Sequence, residues 1–431
     1  MDEFSMPASV KSFLISFVTI CIIAGAALAI IAYGRGYRFD FTNHSLNSTG
    51  LVVVQSDPSG AQIFVNNDLK SATQATIQLS PDWYDFTVAK EGFQPWQKRV
   101  QVQGEVVYKI DALLLPVNPS LTALTVSGVI TPTLSPDGTK LAYVVPDQPQ
   151  ATISGSLNPT TPGIWILDLV DKPLGLNRDA RQIAQSNGID FSKSTLAWSP
   201  DDKQLLTTLP DGRAYLLDTS TLNAPLPPAS VPTVEAQWQI LKDQRTKEQL
   251  ATLPPQFTAM ASDSASILSL SPDETKILYE ATGDAILPQI ITPPLIGTDS
   301  TAETRKVTPG NLYIYDVKED RNYDIGQASE FRSAPTPTPT PEKFVLAKPE
   351  AAAQELPLTI RWLPSSRHLV FVAKDRIQIM DYDGTNRRTA YAGPFWDSFA
   401  VPWASGGKIV ILTNLNQTAS LVNNLYVVNL H

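Results

Sequence analysis

The sequence predicts a mainly β protein: an N-terminal transmembrane helix, a small β-sandwich, then a β-propeller of five blades, or six if another hides in 219–262. Three observations predict it. A chain of 431 residues, 43% hydrophobic and 17% charged, is too long for one ordinary domain and has apolar content enough to fold. Near the start lies a long uncharged run. Through the last three quarters a strand–turn–strand unit recurs, and 35 prolines and 22 glycines supply turns rather than long helices.

The apolar run, Ser12 to Gly34, is long enough to cross about 30 Å of hydrocarbon as one helix. It exceeds the 7–15 residue core of a cleaved signal, and Tyr33-Gly34-Arg35-Gly36-Tyr37 is a poor cleavage site. The single cysteine, Cys21, falls inside it, so no disulfide within the chain and no thiol chemistry in the globular part is expected. Lys11 on one side and Arg35 and Arg38 on the other nearly balance, but long domains translocate regardless of nearby charge. Residues after Gly36 are therefore expected outside the cytoplasm, giving an anchor over 1–40.

A second stretch, 41–116, reads as a compact β domain. Strands are expected at Leu51–Val54, Ala61–Val65, Ala75–Leu79, Trp83–Lys90 and Arg99–Val107, with turns at Asp57-Pro58-Ser59-Gly60 and Asn66-Asn67-Asp68. Ser56-Asp57-Pro58-Ser59-Gly60-Ala61-Gln62-Ile63-Phe64-Val65-Asn66, followed by Tyr84–Val88 and Lys90-Glu91-Gly92-Phe93, resembles a PEGA domain. Ser59 stands where the family has Glu, and Ser71-Ala72-Thr73 where it has Gly-Thr-Pro. The resemblance implies a β-sandwich module of the kind common in bacterial and archaeal surface proteins, with no catalytic residues.

From 117 to 431 the unit repeats. Its copies are Leu134-Ser135-Pro136-Asp137-Gly138 returning through Ile164–Asp168, Trp198-Ser199-Pro200-Asp201-Asp202 returning through Ala214–Asp218, and Leu270-Ser271-Pro272-Asp273-Glu274 returning through Leu312–Asp316. The fourth is Trp362-Leu363-Pro364-Ser365-Ser366 with Ile377–Asp381, and the fifth, decayed, is Trp403-Ala404-Ser405-Gly406-Gly407 with Leu425–Val428. One unit alone cannot cover both faces of its sheet, so neighbours must stack, and radial stacking makes a propeller. The Ser-Pro-Asp-Gly motif before a strand resembles the TolB-type propeller repeat. Residues 121–126 are expected to lend the last unit its outer strand, and Val234 to Leu253 to form an amphipathic helix.

Long insertions at 146–163, 281–310, 413–424, 219–262 and 327–355 all belong to connections that share one rim of an antiparallel blade. That rim is the expected binding surface, although tolerated extra length accounts for the insertions equally well. Residues 334–341, Ala-Pro-Thr-Pro-Thr-Pro-Thr-Pro, form a polyproline-like spacer without means of building a core.

No catalytic motif is present. His44, His368 and His431 are placed in the spacer, at a strand edge and at the end, and no arrangement of them suggests a triad or a metal site. Asp381-Tyr382-Asp383-Gly384 opens like a calcium loop but lacks the later Glu, and is expected to be a tight turn. Trp83, Tyr84, Phe93 and Trp96 could make a sugar platform; core roles for Tyr84 and Phe93 with Trp96 partly exposed are the alternative. Trp198, Trp362 and Trp403 are expected between blades, and Asp168, Asp218, Asp316 and Asp381 to accept from the turns that follow them. A net charge of −9 with no Lys/Arg cluster argues against nucleic acid.

No catalytic, cofactor or metal residues are therefore assigned, no cofactor is expected, and the binding residues are left unknown. The expected function is a non-catalytic membrane-anchored binding or scaffolding protein of the bacterial envelope, partnered by a protein, peptide or glycan. The alternative is the propeller subunit of an envelope peptidase or hydrolase system.

Overall fold

The computed structural model describes residues 8–34, 38–40, 45–147, 161–171, 180–332, 357–373, 375–396, 398–415 and 422–431. The tract 334–341 lies outside them, as do His44, Arg35 and most of 146–163. Two compact units emerge: Met1–Leu114 with Pro294–Thr301, and Leu115–Pro293 with Ala302–His431.

The first unit begins with α1 (Ala8–Gly34), whose segment Phe13–Ile31 is long and apolar enough to cross a membrane. At 1.5 Å per residue those 19 residues rise about 28 Å. Phe13, Ile15, Ile20 and Ile30 are all exposed, with none of the described residues covering them. A short hairpin, β1 (Arg38–Asp40) and β2 (Ser45–Asn47), follows.

The small domain contains β3 (Gly50–Asp57), β4 (Gln62–Val65), β5 (Asp68–Ala72), β6 (Ala75–Leu79), β7 (Asp82–Ala89), β8 (Trp96–Val102) and β9 (Val107–Leu113). Two sheets form, ordered β6-β3-β9 and β5-β4-β7-β8, with β3 and β9 parallel. Strict alternation in β3 sends Val52, Val54 and Ser56 inward, where they meet Ile63, Phe86, Val88, Trp96, Val100 and Ile110. Each such side chain contributes about 1.5–3 kcal/mol by leaving water.

Three details differ from expectation. The stretch Arg99–Val107 is not one strand: Glu105 takes a left-handed φ of 62° beside Gly104, and the chain turns between β8 and β9. The strands β5 and β9 were not expected. Thr73, in the segment that departs from the PEGA pattern, is buried, shares a 2.6 Å hydrogen bond with Ser56 Oγ and accepts one from Ala61 N–H at 3.0 Å. Its hydroxyl braces the turn from inside.

Pro294–Thr301 belongs to this unit although it comes some 180 residues later. Asp299 pairs with Lys98 at 2.6 Å, both largely buried, and Ser300 Oγ accepts from the Gln101 N–H of the edge strand β8 at 2.9 Å.

The second unit runs through β10 (Leu121–Ala123), then β11 (Ile130–Leu134), β12 (Lys140–Val145), β13 (Gly163–Asp168) and β14 (Arg181–Gln185). Next come β15 (Thr195–Trp198), β16 (Gln204–Thr208), β17 (Ala214–Asp218), α2 (Val231–Ala251) and α3 (Pro255–Ser264). Then follow β18 (Ala265–Leu270), β19 (Lys276–Ala281), β20 (Ala285–Ile286), β21 (Lys306–Val307), β22 (Asn311–Asp316) and β23 (Arg321–Gln327). The last are β24 (Arg361–Trp362), β25 (His368–Ala373), β26 (Arg376–Asp381), β27 (Arg388–Tyr391), β28 (Ala400–Pro402), β29 (Lys408–Thr413) and β30 (Asn424–Asn429).

Among the described residues these make five principal antiparallel sheets in chain order, β11–β14, β15–β17, β18-β19-β22-β23, β24–β27 and β28-β29-β30. The fifth takes its outer strand from β10, which pairs with β30 as expected and closes the ring. Middle strands such as Leu141–Val145 and His368–Val372 are buried on both faces because a neighbouring sheet lies on each side. Leu141, Tyr143 and Leu167 of the first sheet pack on Trp403, Val410 and Leu425 of the fifth. Val144 and Ile164 pack on Leu205 and Leu217 of the second sheet, and Leu278 and Ile314 of the third on Trp362 and Phe371 of the fourth.

Between the second and third sheets stand the helices. Val234 of α2 joins Leu206 and Ala214, while Leu253 and Phe257 join Tyr279, Tyr313 and Tyr315. The amphipathic expectation fails for α2: Val234 is its one buried residue, and Ile240, Leu241 and Leu250 are exposed.

Candidate binding surface

The repeated turn shows how each sheet is built. Ser135, Ser199 and Ser271 receive the backbone N–H five residues on through their hydroxyls, each at 2.9 Å. Ser199 and Ser271 donate to Asp201 and Asp273 at 2.7 Å. For Asp273 burial pushes the carboxyl pKa up, but donors from Ser271 and Thr275 outweigh it and hold the value down to about 2. Three residues past the serine position the backbone is left-handed in all five copies: Gly138, Asp202, Glu274, Ser366 and Gly406. Only the first and last have the glycine that this conformation favours.

That geometry corrects the alignment of the fifth copy. Trp198 pairs with Leu205 and Trp362 with Leu369, but the residue so placed in the fifth sheet is Pro402, opposite Ile409. Trp403 therefore occupies the serine position. All three tryptophans still pack between sheets as expected.

The turns are laced to one another. Asp137 N–H donates to Asp202 at 3.1 Å, Asp273 N–H to Ser366 Oγ at 3.0 Å, and Ala404 N–H to the Leu169 carbonyl at 3.0 Å. This rim is compact, with one exception: the β13–β14 connection, 169–180, is long and leaves from it. The long connections are thus not all gathered on one rim. From the other rim leave 230–264, with α2 and α3, and the β19–β22 connection 282–310, with the β20–β21 hairpin, and α2 extends back to the compact rim, where Arg245 donates to the Pro200 carbonyl. The β19–β22 connection also reaches the compact rim: Asp320, 4% exposed in the β22–β23 turn beside Asp316, accepts from the Ile290 and Ile291 amides at 2.8 Å and from Arg305 and Tyr315 at 2.9 Å. Burial works against its charge, but these donors prevail and lower its pKa.

His368 is the first residue of β25 and is buried, with Ser365 Oγ 2.9 Å from Nδ1 and Asp381 Oδ1 3.6 Å from Nε2. The structure thus assembles serine, histidine and aspartate that the sequence did not suggest would meet. Register explains the trio without catalysis. Lys140↔Asp168, Gln204↔Asp218, Lys276↔Asp316 and His368↔Asp381 are equivalent pairs, and Lys276 sits 3.4 Å from Asp316. The carboxylate lies beyond hydrogen-bond distance of the imidazole, and both groups are too buried to meet a substrate. His431 is exposed at the last position.

The aspartates mostly behave as expected: Asp218 accepts from Ser220 N–H, Asp316 from Lys318 and Glu319 N–H, and Asp381 from Asn386. Asp168 instead receives Arg181 through both carboxylate oxygens. In Asp381–Gly384 the carboxylates are engaged by Thr385 and Asn386, a tight turn with Gly384 left-handed. No group of three or more potential metal ligands occurs among the described residues. Trp96 is buried rather than partly exposed, because it falls on the inward phase of β8. Trp83, opposite Gln101 at the far end of the β7–β8 pairing, is the exposed aromatic and carries Arg99 over its ring. The four aromatics do not form one platform.

Two solved structures match this chain at low identity. One, a putative TolB from Agrobacterium tumefaciens, is 12% identical, with 67% of this chain and 71% of that one covered and a TM-score of 0.21. The other, TolB from Acinetobacter baumannii, is 13% identical, with 80% and 59% covered and a TM-score of 0.20. No curated protein matches. Residues 49–118, which hold every strand from β3 to β9, match the PEGA domain family.

Proposed function

We propose that this protein is a non-catalytic, membrane-anchored binding or scaffolding component of the bacterial envelope, with its globular units outside the cytoplasm. The contact surface for a protein, peptide or glycan is formed by α2, α3 and the β20–β21 hairpin, which leave from the rim opposite the repeated turns. The observation that carries this proposal is the unequal length of the connections: the repeated turns are short and bonded to each other, whereas the excursions that leave from the opposite rim present Ile240, Leu241 and Ile286 to solvent. The exposed apolar surface of α1 supports anchoring.

Affinity purification of the full chain from detergent-solubilised membranes, with and without replacement of 231–251 by a Gly/Ser linker, tests the surface. Partners lost with the helix support it. Stoichiometric recovery of a peptidase or glycosidase supports the alternative role as an enzyme subunit. Protease treatment of intact cells tests orientation, since an internal propeller stays uncut.

A further inference from the structure

We propose that Arg361 is the anchoring residue of a carboxylate-binding site at the inner edge of the ring of sheets. The site stands apart from the long-loop rim, because Arg361 lies two residues before the compact turn of the fourth sheet.

Each sheet begins with a short strand that has a neighbour on one side only: β11, β15, β18, β24 or β28. Register aligns one residue of each at the same level, Thr133 opposite Ala142, Ala197 opposite Leu206, Ser269 opposite Leu278, Arg361 opposite Val370 and Val401 opposite Val410. Four are small or apolar and neutral. Arg361 is the one charge at that level.

Among the described residues its guanidinium has no hydrogen-bond or ion-pair partner. Four other arginines of this unit make the contrast: Arg181 holds Asp168, Arg305 holds Asp320, Arg332 holds Glu280 and Arg387 holds Glu330. Acids are not scarce, with 42 Asp and Glu against 33 Lys and Arg. Arg361 remains exposed, yet burial lowers its pKa and no nearby charge offsets that. On its own sheet it is aligned with the buried Val370 and Ile379. A cation partly stripped of water and left without a counter-charge is unfavourable unless an anion arrives.

The chemistry selects a carboxylate. A guanidinium offers a planar fork that matches two carboxylate oxygens, and one positive charge neutralises one negative charge. A phosphate dianion would keep an excess charge, with no second cation at that level of the inner strands. The carboxylate is either that of a small free acid or that of a peptide end.

The test uses the full chain in detergent with acetate, N-acetyl-pentaglycine acid and its amide as probes, at constant ionic strength set with chloride. Calorimetric titration and thermal melting should show saturable binding of at least one acid and none of the amide. The R361Q variant should lose that response and be no less stable than wild type without ligand, and R361K should bind at least tenfold more weakly. Acetate alone active identifies a small free acid; the peptide acid alone active identifies a chain end. Absence of saturable binding to wild type, or equal responses in wild type and R361K, overturns the proposal.

Discussion

Asp320→Ala should be among the more damaging single changes in the second unit. The carboxylate takes four donors, Ile290 N–H, Ile291 N–H, Arg305 and Tyr315, while 4% exposed. Truncation leaves the Ile290 and Ile291 amides and the Tyr315 hydroxyl without their acceptor and Arg305 with Glu303 alone as counter-charge, for which about 3–5 kcal/mol is the expected loss. Residue 320 also has a left-handed φ of 51°, which Asn tolerates and Ala resists. At about 2 °C per kcal/mol for a unit of this size, Asp320→Ala should melt about 6–10 °C below wild type, with Asp320→Asn in between. The pKa of Asp320 is lowered on folding, so its charge stabilises fully above the unfolded carboxylate value near 3.9. That contribution disappears as pH falls through the lower folded value. Melting curves between about pH 6 and pH 2 should therefore converge for wild type and Asp320→Asn at the acid end. An Asp320→Ala protein melting within about 1 °C of wild type at pH 7 would refute the hub, as would a constant difference between wild type and Asp320→Asn across that range.

Lys98→Ala should free Pro294–Thr301 locally; losing a charge-assisted bond worth about 1.5–3 kcal/mol raises amide exchange at Gln101 about 10- to 100-fold, while unchanged exchange contradicts the pairing. Thr73→Val removes the hydroxyl shared by Ser56 and Ala61 N–H and should destabilise by about 1–3 kcal/mol in urea titration. His368→Lys should keep stability within about 1.5 kcal/mol, because Lys276 already fills the equivalent place beside Asp316. Ester-hydrolysing activity that is present in wild type and lost in His368→Lys would contradict a structural role for Ser365, His368 and Asp381.

The five sheets were legible because the Ser-Pro-Asp-Gly turn couples a fixed strand spacing to a left-handed backbone position, and the strands beside it are apolar on both faces. The closing strand was legible because the last unit lacked one. The turn between β8 and β9 was signalled by Gly104 but obscured by the β-prone residues around it. Other features were set by distant parts of the chain. Nothing local in Pro294–Thr301 marks it for the PEGA unit, since Lys98 and Gln101 receive it from far away in sequence. Trp403 imitates Trp198 and Trp362 in composition, yet only pairing to Ile409 shows that Pro402 holds their place. The want of a partner at Arg361 is a property of the assembled inner strands and has no sequence signature.

Fastening β10 to β30 joins Leu121 to Val428, residues about 300 positions apart. Loop closure over such a separation is entropically costly and comes late, after the intervening sheets have shortened the effective path. During synthesis, therefore, the first sheet waits for the fifth sheet that packs on it until β28 to β30 have emerged. Until then the apolar faces of Tyr143 and Leu167 stay open to solvent and to holding factors.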